Sequence, residues 1–192
     1  MKSILILNGH PDKESFCAQL AEAYEKGVLQ SGTPVKLVHL SDLDFNPVLE
    51  HGYHKRTELE PKLIEIQKDI KKATHLVFVF PIWWGNMPAL LKGFIDRVFL
   101  PGYAFQYREK SVFWDKMLNG KSARIIATMD SPVWYYKWIY HSPGTNALKK
   151  AVLNFCGIKP VRVTHLGPVK SSDENKRAKW LQEIEQMGIK GE

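Results

Sequence analysis

The chain alternates between short apolar runs and longer segments in which apolar residues recur every three or four positions. Short apolar runs are typical of buried strands, whereas the second spacing is typical of amphipathic helices. The pattern predicts five strands, at residues 3–7, 35–40, 75–80, 122–128 and 159–164. It also predicts five helices, at residues 15–30, 58–72, 89–99, 145–156 and 173–187.

Strands that alternate with helices indicate a parallel sheet, because each parallel pairing needs a connection long enough to hold a helix. The first, third and fourth strands are almost continuously apolar, as expected where helices cover both faces of a sheet. The predicted fold class is therefore α/β, with a doubly wound parallel sheet in three α/β/α layers. Five strands in a chain of this size favour the flavodoxin-like order 2-1-3-4-5 over the dinucleotide-binding order.

The whole chain, residues 1–192, is expected to form a single domain, because no linker rich in proline, glycine or serine interrupts it. Hydrophobic residues make up 44% of the chain and charged residues 24%, which is ordinary for a globular protein. The apolar runs are too short to cross a bilayer, and no signal segment opens the sequence. We therefore expect no integral membrane segment and a cytoplasmic location.

The net charge of +7 raises the question of a nucleic-acid partner. Basic residues are spread along the chain, and the locally basic stretch at residues 170–179 also contains Asp173 and Glu174. A solvated helix face explains that stretch, so we expect no nucleic acid, although a positive field would speed the arrival of an anionic cofactor. The two cysteines, Cys17 and Cys156, form no CxxC pair, so we expect no metal site. Both are expected in the core, and the sequence leaves a disulfide between them open.

Ligands of doubly wound sheets bind at the carboxyl ends of the strands, where the strand order reverses. Three loops lie there, at residues 9–14, 81–87 and 129–144. In the first loop, Ser15 is a candidate N-cap, and the amides that begin the next helix could bind a phosphate, with His10 as a further donor. An ordinary capped turn with an exposed His10 is the alternative. The loop contains neither the GxGxxG fingerprint nor a Walker A motif.

The second loop joins a buried strand to an apolar helix through Trp83 and Trp84, although such loops are normally polar. Two indoles at a ligand-binding edge indicate that something flat and apolar covers them, such as a flavin ring. Backbone amides after Pro81 and the side chain of Asn86 could then bind the polar edge of the ring. Filling of core or dimer-interface gaps is the alternative. The third loop again carries aromatic residues, at positions 134–136 and 138.

The sequence at residues 81–99, PIWWGNMPALLKGFIDRVF, resembles the signature of the flavodoxin-like NAD(P)H:quinone oxidoreductases. Segments at residues 9–16, 102–105 and 154–157 resemble, respectively, that family's flavin-phosphate loop, the extension after its third helix and the run before its fifth strand. The resemblance implies a flavin cofactor, FMN or alternatively FAD, with NADPH or NADH as the hydride donor. It implies ping-pong transfer of two electrons to a quinone, with azo dyes and nitroaromatics as further candidate acceptors. It also implies a homodimer in which each site borrows aromatic residues from its neighbour.

The resemblance also identifies candidate site residues. In the loop after the fourth strand, family members with a mammalian-type site use a tyrosine and a histidine six residues later to assist charge and proton movement, and Tyr135 and His141 have that spacing. The implied cofactor-binding residues are His10, Ser15, Phe16, Cys17, Pro81, Ile82, Trp83, Trp84, Gly85, Asn86, Thr128 and Asp130. By motif position, Ile82, Trp84 and Asn86 lie nearest the flavin ring.

The chain departs from the family pattern at several positions. Residues 130–133 replace a glycine-rich run, Tyr136 offers an alternative to Tyr135, and Cys17 stands where some FAD-binding members carry asparagine. Two other functions stay open. One is a one-electron flavodoxin-like carrier, which the sequence pI of about 9.3 disfavours because such carriers are usually acidic. The other is a regulatory subunit that docks on a membrane partner such as a potassium-efflux system.

Overall fold

The computed structural model describes residues 2–52, 54–55 and 57–191. Two short elements are a 3-10 turn at Leu40–Asp42 and a π-helical stretch at Ala147–Leu153. In chain order, the other elements are β1 (Ile4–Asn8), α1 (Phe16–Gln30), β2 (Val35–His39), α2 (Pro61–Lys72), β3 (His75–Pro81), α3 (Ala89–Val98), β4 (Phe105–Tyr107), β5 (Trp114–Lys116), β6 (Ser122–Thr128), α4 (Val133–Trp138), α5 (Pro143–Asn146), β7 (Val161–Leu166) and α6 (Glu174–Lys190).

The central sheet has the order β2-β1-β3-β6-β7, and every pairing in it is parallel. This confirms the predicted order 2-1-3-4-5, counted over the five strands of the sheet. Strand β6 has the predicted bounds, whereas β7 begins two residues later than predicted, at Val161. Pro160, just before it, has no N–H to donate to the ladder.

Helices cover both faces of the sheet. Helices α1 and α6 pack on one face, around Tyr24 and Ile184. Helices α2 and α3 and the π-helical stretch pack on the other face, around Leu63, Phe94 and Leu153. Strands β1 and β3 are buried along their whole length, which confirms the expectation from their continuous apolar runs. In the described part of the chain, no helix combines the length and apolar character needed to cross a membrane.

The two cysteines lie on opposite faces of the sheet. Cys17 belongs to the α1–α6 side and Cys156 to the α2–α3 side, and both are buried free thiols. The sheet between them keeps them apart, so the disulfide that the sequence left open does not form. Their expected place in the core is confirmed.

Three regions of the chain differ from the sequence prediction. Strands β4 and β5 form a separate antiparallel hairpin at residues that the pattern left unassigned. Helix α4 lies in the third loop, which was predicted as irregular, and the helix predicted at residues 145–156 instead begins with α5 and continues as a π-helix. These differences all lie after β3, where short elements replace the long periodic segments of the first half of the chain.

Helices α1 and α6 meet at two glycines. A Cβ atom at Gly27 would lie 2.0 Å from the Glu185 carbonyl oxygen, and one at Gly188 would lie 2.2 Å from the Tyr24 carbonyl oxygen. Because backbone atoms occupy these positions, we expect Gly188→Ala to push the helices apart and to lower the free energy of unfolding by about 1–3 kcal/mol. Urea unfolding measures this. Glu183→Ala, at an exposed position of α6, is the control and should change stability by less than about 0.5 kcal/mol.

A buried histidine makes stability depend on pH. The Nδ1 atom of His75 lies 2.7 Å from Ser122 Oγ, and burial, reinforced by Lys2, Arg124 and Arg162, lowers the pKa of His75 to about 4. The unfolded chain therefore binds a proton at His75 more readily than the folded chain does. The contribution of His75 to stability is fully present above pH 6.5 and is lost as the pH falls towards 4.

We expect acidification over this range to lower the free energy of unfolding by about 2–3 kcal/mol through His75. Urea unfolding at a series of pH values measures this loss. In His75→Asn, the side chain keeps a polar group near Ser122 but does not titrate. The free energy of unfolding should therefore fall less steeply with acidification in this variant. An equally steep fall in both proteins would rule out His75 as its cause.

Candidate active site

The loop between β1 and α1 is held by side chains that accept hydrogen bonds from amides two residues further on. Asn8 Oδ1 accepts from His10 N at 3.1 Å, His10 Nδ1 from Asp12 N at 2.9 Å, and Asp12 Oδ1 from Glu14 N at 2.8 Å. Since Nδ1 of His10 is an acceptor, the ring proton sits on Nε2. Burial also lowers the pKa of His10, which favours the neutral ring. His10 is thus a neutral donor at this edge of the sheet.

A second histidine stands behind this loop. Asn8 is fully buried, and its Oδ1 atom is used by the His10 amide, so its Nδ2 group donates to His39 Nδ1 at 3.0 Å. The amide of Asn8 therefore has one orientation that satisfies both neighbours. The sequence analysis assigned no role to Asn8 or His39, because their contact joins two strands that are 31 residues apart in sequence.

Helix α1 begins at the floor of the site. Ser15 is its N-cap, as predicted, and Ser15 Oγ accepts from Ala18 N at 3.3 Å. The amides of Phe16 and Cys17 lie in the first turn, where a helix supplies no acceptor for its own N–H groups. Such a helix start, with the positive end of the helix dipole, is suited to a phosphate group.

The second loop makes a tight turn at residues 83–86. Trp83 and Asn86 exchange two backbone hydrogen bonds of 2.9 Å each, and Trp84 and Gly85 both have positive φ, of 50° and 77°. This is a type I′ turn, which requires positive φ at both central residues. The ring of Trp83 meets the ring of His10 edge to face, with centroids 5.3 Å apart. The side chain of Trp84 instead points to solvent and is fully exposed.

These loops enclose a cavity of about 200 Å³ at the carboxyl ends of β1, β3 and β6. Nine of the twelve predicted cofactor-binding residues line it, and the other three, Trp84, Gly85 and Asn86, form the turn beside it. Sequence analysis did not single out two further lining residues, Met129 and Val169. The lining residues are His10, Ser15, Phe16, Cys17, Pro81, Ile82, Trp83, Thr128, Met129, Asp130 and Val169.

Position in the sequence could have identified Met129, but not Val169, as a residue that lines the cavity. Met129 directly follows β6 and lies within the predicted loop at residues 129–144. Val169 follows β7 at the outer edge of the sheet and reaches the cavity because its amide donates to the Met129 carbonyl at 3.0 Å. No motif in the sequence signals that contact.

The cavity carries little charge. Cys17 Sγ lies 3.2 Å from Thr128 Oγ1, and burial raises the pKa of Cys17 to about 12, so its side chain is a neutral thiol. Among the described residues that line the cavity, Asp130 alone carries a formal charge, and its Oδ1 atom accepts from the Lys170 amide at 2.8 Å. A ligand here would be bound chiefly by amides, hydroxyl groups and the His10 ring.

The two candidate catalytic residues lie outside this cavity. Tyr135 is half-buried on α4, its ring centroid lies 5.0 Å from that of Tyr140, and a hydrogen bond between the two hydroxyl groups raises the pKa of Tyr135. His141 is exposed and follows α4. Tyr136, the sequence alternative to Tyr135, is instead buried in the protein, with 1% of its surface exposed.

Large apolar side chains are exposed near this end of the sheet. We call these residues the aromatic face, which comprises Trp84 on the turn and Trp134, Trp138, Ile139 and Tyr140 on and after α4. Isolated exposed apolar residues are common, but several large ones around a ligand-binding edge indicate a surface that another molecule covers.

Comparison with known proteins places this site in a family context. Residues 2–187 match the model of the Flavodoxin_2 family, described as a flavodoxin-like fold. An uncharacterized NAD(P)H oxidoreductase of Haemophilus influenzae is 29% identical over 184 residues, which cover 93% of this chain and 90% of that protein. The ribosyldihydronicotinamide dehydrogenase (quinone) of Rattus norvegicus is 24% identical over 220 residues, which cover 97% of this chain and 92% of that protein.

Several solved structures share the fold. Smu.1420 from Streptococcus mutans UA159 is 34% identical, with a TM-score of 0.85 over 99% of this chain and 100% of that chain. An NAD(P)H:quinone oxidoreductase from Methanothermobacter marburgensis is 23% identical, with a TM-score of 0.81 over 100% of this chain and 99% of that one. An FMN-dependent NADH-azoreductase from Bacillus anthracis, solved in complex with FMN, is 20% identical, with a TM-score of 0.77 over 99% of each chain.

Proposed function

Because this chain belongs to the Flavodoxin_2 family, whose model spans residues 2–187, we propose that it is a flavin-dependent NAD(P)H:quinone oxidoreductase. The cavity at the carboxyl ends of the sheet strands carries this proposal, since it joins a helix start suited to a phosphate with the flat side chain of Trp83. The names of the relatives, which include an NAD(P)H oxidoreductase and a quinone dehydrogenase, support the same activity.

The residues present fit a flavin mononucleotide. Ser15, the amides of Phe16 and Cys17, and His10 Nε2–H would bind one phosphate. The described lining residues include no lysine or arginine for a second phosphate, so we propose FMN rather than FAD. FMN in the Bacillus anthracis azoreductase of the same fold supports this choice.

The size of the cavity indicates how such a cofactor would lie. At about 200 Å³ it is smaller than the roughly 300–1,000 Å³ of ordinary ligand pockets. We therefore propose that it holds the phosphate and the sugar chain. The ring would lie over Ile82 and the turn at residues 83–86, where one of its faces stays open to a second ligand.

A bound flavin would supply hydride chemistry, taking two electrons from NADH or NADPH and passing them to a quinone in a ping-pong sequence. This chain would orient both ligands against the open face, with the aromatic residues around the turn as the apolar wall. We propose that His141 supplies a proton and that the Tyr135 hydroxyl donates a hydrogen bond to developing negative charge. Azo dyes and nitroaromatics are further proposed acceptors.

The aromatic face supports a homodimer in which each subunit completes the site of the other. One chain leaves the proposed ring position open, and Trp84 on the turn beside it is fully exposed. A second copy would cover both. Sedimentation at twice the chain mass of 22.1 kDa is the expected result, and sedimentation at the chain mass would contradict the dimer. We further propose a cytoplasmic location, where both nucleotides are available.

One experiment tests the proposed function. The purified protein is heated to release its cofactor, which is identified by mass, and oxidation of NADH and NADPH is compared with a simple quinone as the acceptor. We expect FMN and quinone-dependent oxidation of at least one nucleotide. A protein that takes up no flavin would overturn the proposal. Bound flavin without nucleotide oxidation would favour the carrier or the regulatory subunit.

A further inference from the structure

Tyr136 lies between two loops of the candidate site. Its side chain points into the protein, whereas its neighbours Trp134 and Trp138 are exposed. The Tyr136 hydroxyl donates to the Gly85 carbonyl oxygen at 3.4 Å and accepts from the Thr145 amide at 3.2 Å. One hydroxyl therefore joins the turn at residues 83–86 to helix α5.

The backbones of these two loops also touch directly. The Gly144 amide donates to the same Gly85 carbonyl at 3.0 Å. A Cβ atom at Gly144 would lie 2.7 Å from Asn86 Cα, so no side chain fits at this position. The contact fixes the distance between the turn that would support the flavin ring and the start of α5.

The same group of residues holds the backbone that carries His141. His141 and Ser142 both have left-handed φ values, 56° and 53°, which side-chain-bearing residues rarely adopt. Such residues persist where their surroundings fix them. The Ser142 amide donates to the Tyr136 carbonyl at 2.9 Å, and Thr145 Oγ1 donates to the Ser142 carbonyl at 3.3 Å. Tyr136 and Thr145 therefore act on both loops.

His165, on β7, contacts both Thr145 and Tyr136. Because the Thr145 hydroxyl donates its proton to Ser142, it accepts from His165 Nε2–H, which lies 3.2 Å away. Burial, with a smaller effect of Lys137, lowers the pKa of His165 to about 4, so the ring is neutral. The His165 ring also meets the Tyr136 ring edge to face, with centroids 5.5 Å apart.

We propose that Tyr136 is a positioning residue that couples the turn at residues 83–86 to the backbone of His141. Binding of a flavin on the turn would thereby order the segment at residues 141–146, none of which lines the cavity. The coupling to a flavin rests on the proposed function, whereas the coupling between the two loops does not. Tyr136 does not take the place of Tyr135, because its hydroxyl is buried and engaged at both ends.

Amide hydrogen exchange tests this coupling without measuring activity. In the cofactor-free protein, Tyr136→Phe removes both bonds of the hydroxyl while keeping the ring. We expect exchange at Asn86, Gly144 and Thr145 to become about tenfold faster, as the loss of a buried hydrogen bond implies. Amides of β1 and β3 should keep their rates. Unchanged exchange at Asn86 and Gly144 would overturn the proposal.

The second measurement adds FMN. In the wild-type protein, FMN should slow exchange of the amides at residues 141–142 and 144–146, and Tyr136→Phe should remove that protection while FMN still binds. Retained protection in the variant would overturn the coupling. A wild-type protein that binds no FMN would overturn the proposed function, and the exchange rates of the cofactor-free protein would still decide the coupling between the loops.

Matched variants separate positioning from folding. Thr145→Ser keeps the hydroxyl and should behave like the wild type, whereas Thr145→Val removes one donor of the Ser142 carbonyl and should speed exchange at Ser142. Tyr135→Phe alters the neighbouring tyrosine on the exposed side and should leave exchange at Asn86 and Gly144 unchanged. In steady-state assays, we expect Tyr136→Phe to lower kcat about tenfold with less than a twofold change in the KM for nicotinamide nucleotide. Faster exchange at Asn86 in Tyr135→Phe would contradict the assignment to Tyr136.

Discussion

Replacing Ser15 with aspartate should strongly weaken FMN binding while leaving the start of helix α1 intact. Aspartate caps helices as well as serine does, so the Ala18 amide keeps an acceptor. The new carboxylate would lie at the wall of the cavity where we propose that the FMN phosphate binds. Two unit charges about 4 Å apart repel by roughly 4 kcal/mol at an effective dielectric constant near 20. We therefore expect FMN affinity to fall by at least about 100-fold, as measured by fluorescence titration.

Two controls isolate the charge in this experiment. Ser15→Asn also caps the helix but is neutral, so it should retain FMN affinity to within about tenfold. Riboflavin has the same ring as FMN but no phosphate, and its weaker binding should be nearly equal in the wild type and in Ser15→Asp. If Ser15→Asp binds FMN as tightly as the wild type, the phosphate does not bind at the start of α1.

The sequence predicted the helix start at Ser15 because its signals are local. His10 and Ser15 lie within one loop, and a capping residue just before an amphipathic segment marks a helix start wherever the chain folds. The central sheet was predictable for a similar reason, since strands buried on both faces are continuously apolar. In both cases a few consecutive residues contain the information.

The parts that were missed depend on contacts between distant residues. Strands β4 and β5 have three residues each, and Trp114 of β5 stacks on Phe155 with ring centroids 4.3 Å apart. Helix α4 has six residues, which is too short for a helical period to be recognised. Successive residues of a helix point about 100° apart, so only the structure shows that Tyr136 is buried and Tyr135 is not.

The largest effect on stability should come from a residue remote from the cavity. Arg97 lies on α3 with 1% of its surface exposed, and its guanidinium donates to the Glu60 carboxylate at 2.8 Å and to the Glu58 carbonyl at 2.8 Å. It also donates to the Asn46 carbonyl, so it holds the segment between β2 and α2 onto α3. A Cβ atom at Gly93 would lie 2.4 Å from Pro47 Cβ, which shows how closely that segment approaches the helix.

We expect Arg97→Met to lower the free energy of unfolding by about 2–4 kcal/mol, because two carbonyl groups lose this donor and the partly exposed Glu60 carboxylate loses its ion pair, although it still accepts from the Asn46 amide. Urea unfolding measures the loss. Lys92→Met is the matched control on the same helix, since the Lys92 side chain is 58% exposed and its ion pair with Asp96 should contribute less than about 1 kcal/mol. Equal losses in the two variants would show that the burial of Arg97 does not increase its contribution to stability. FMN affinity of the folded Arg97→Met protein should stay at the wild-type value, because Arg97 does not line the cavity.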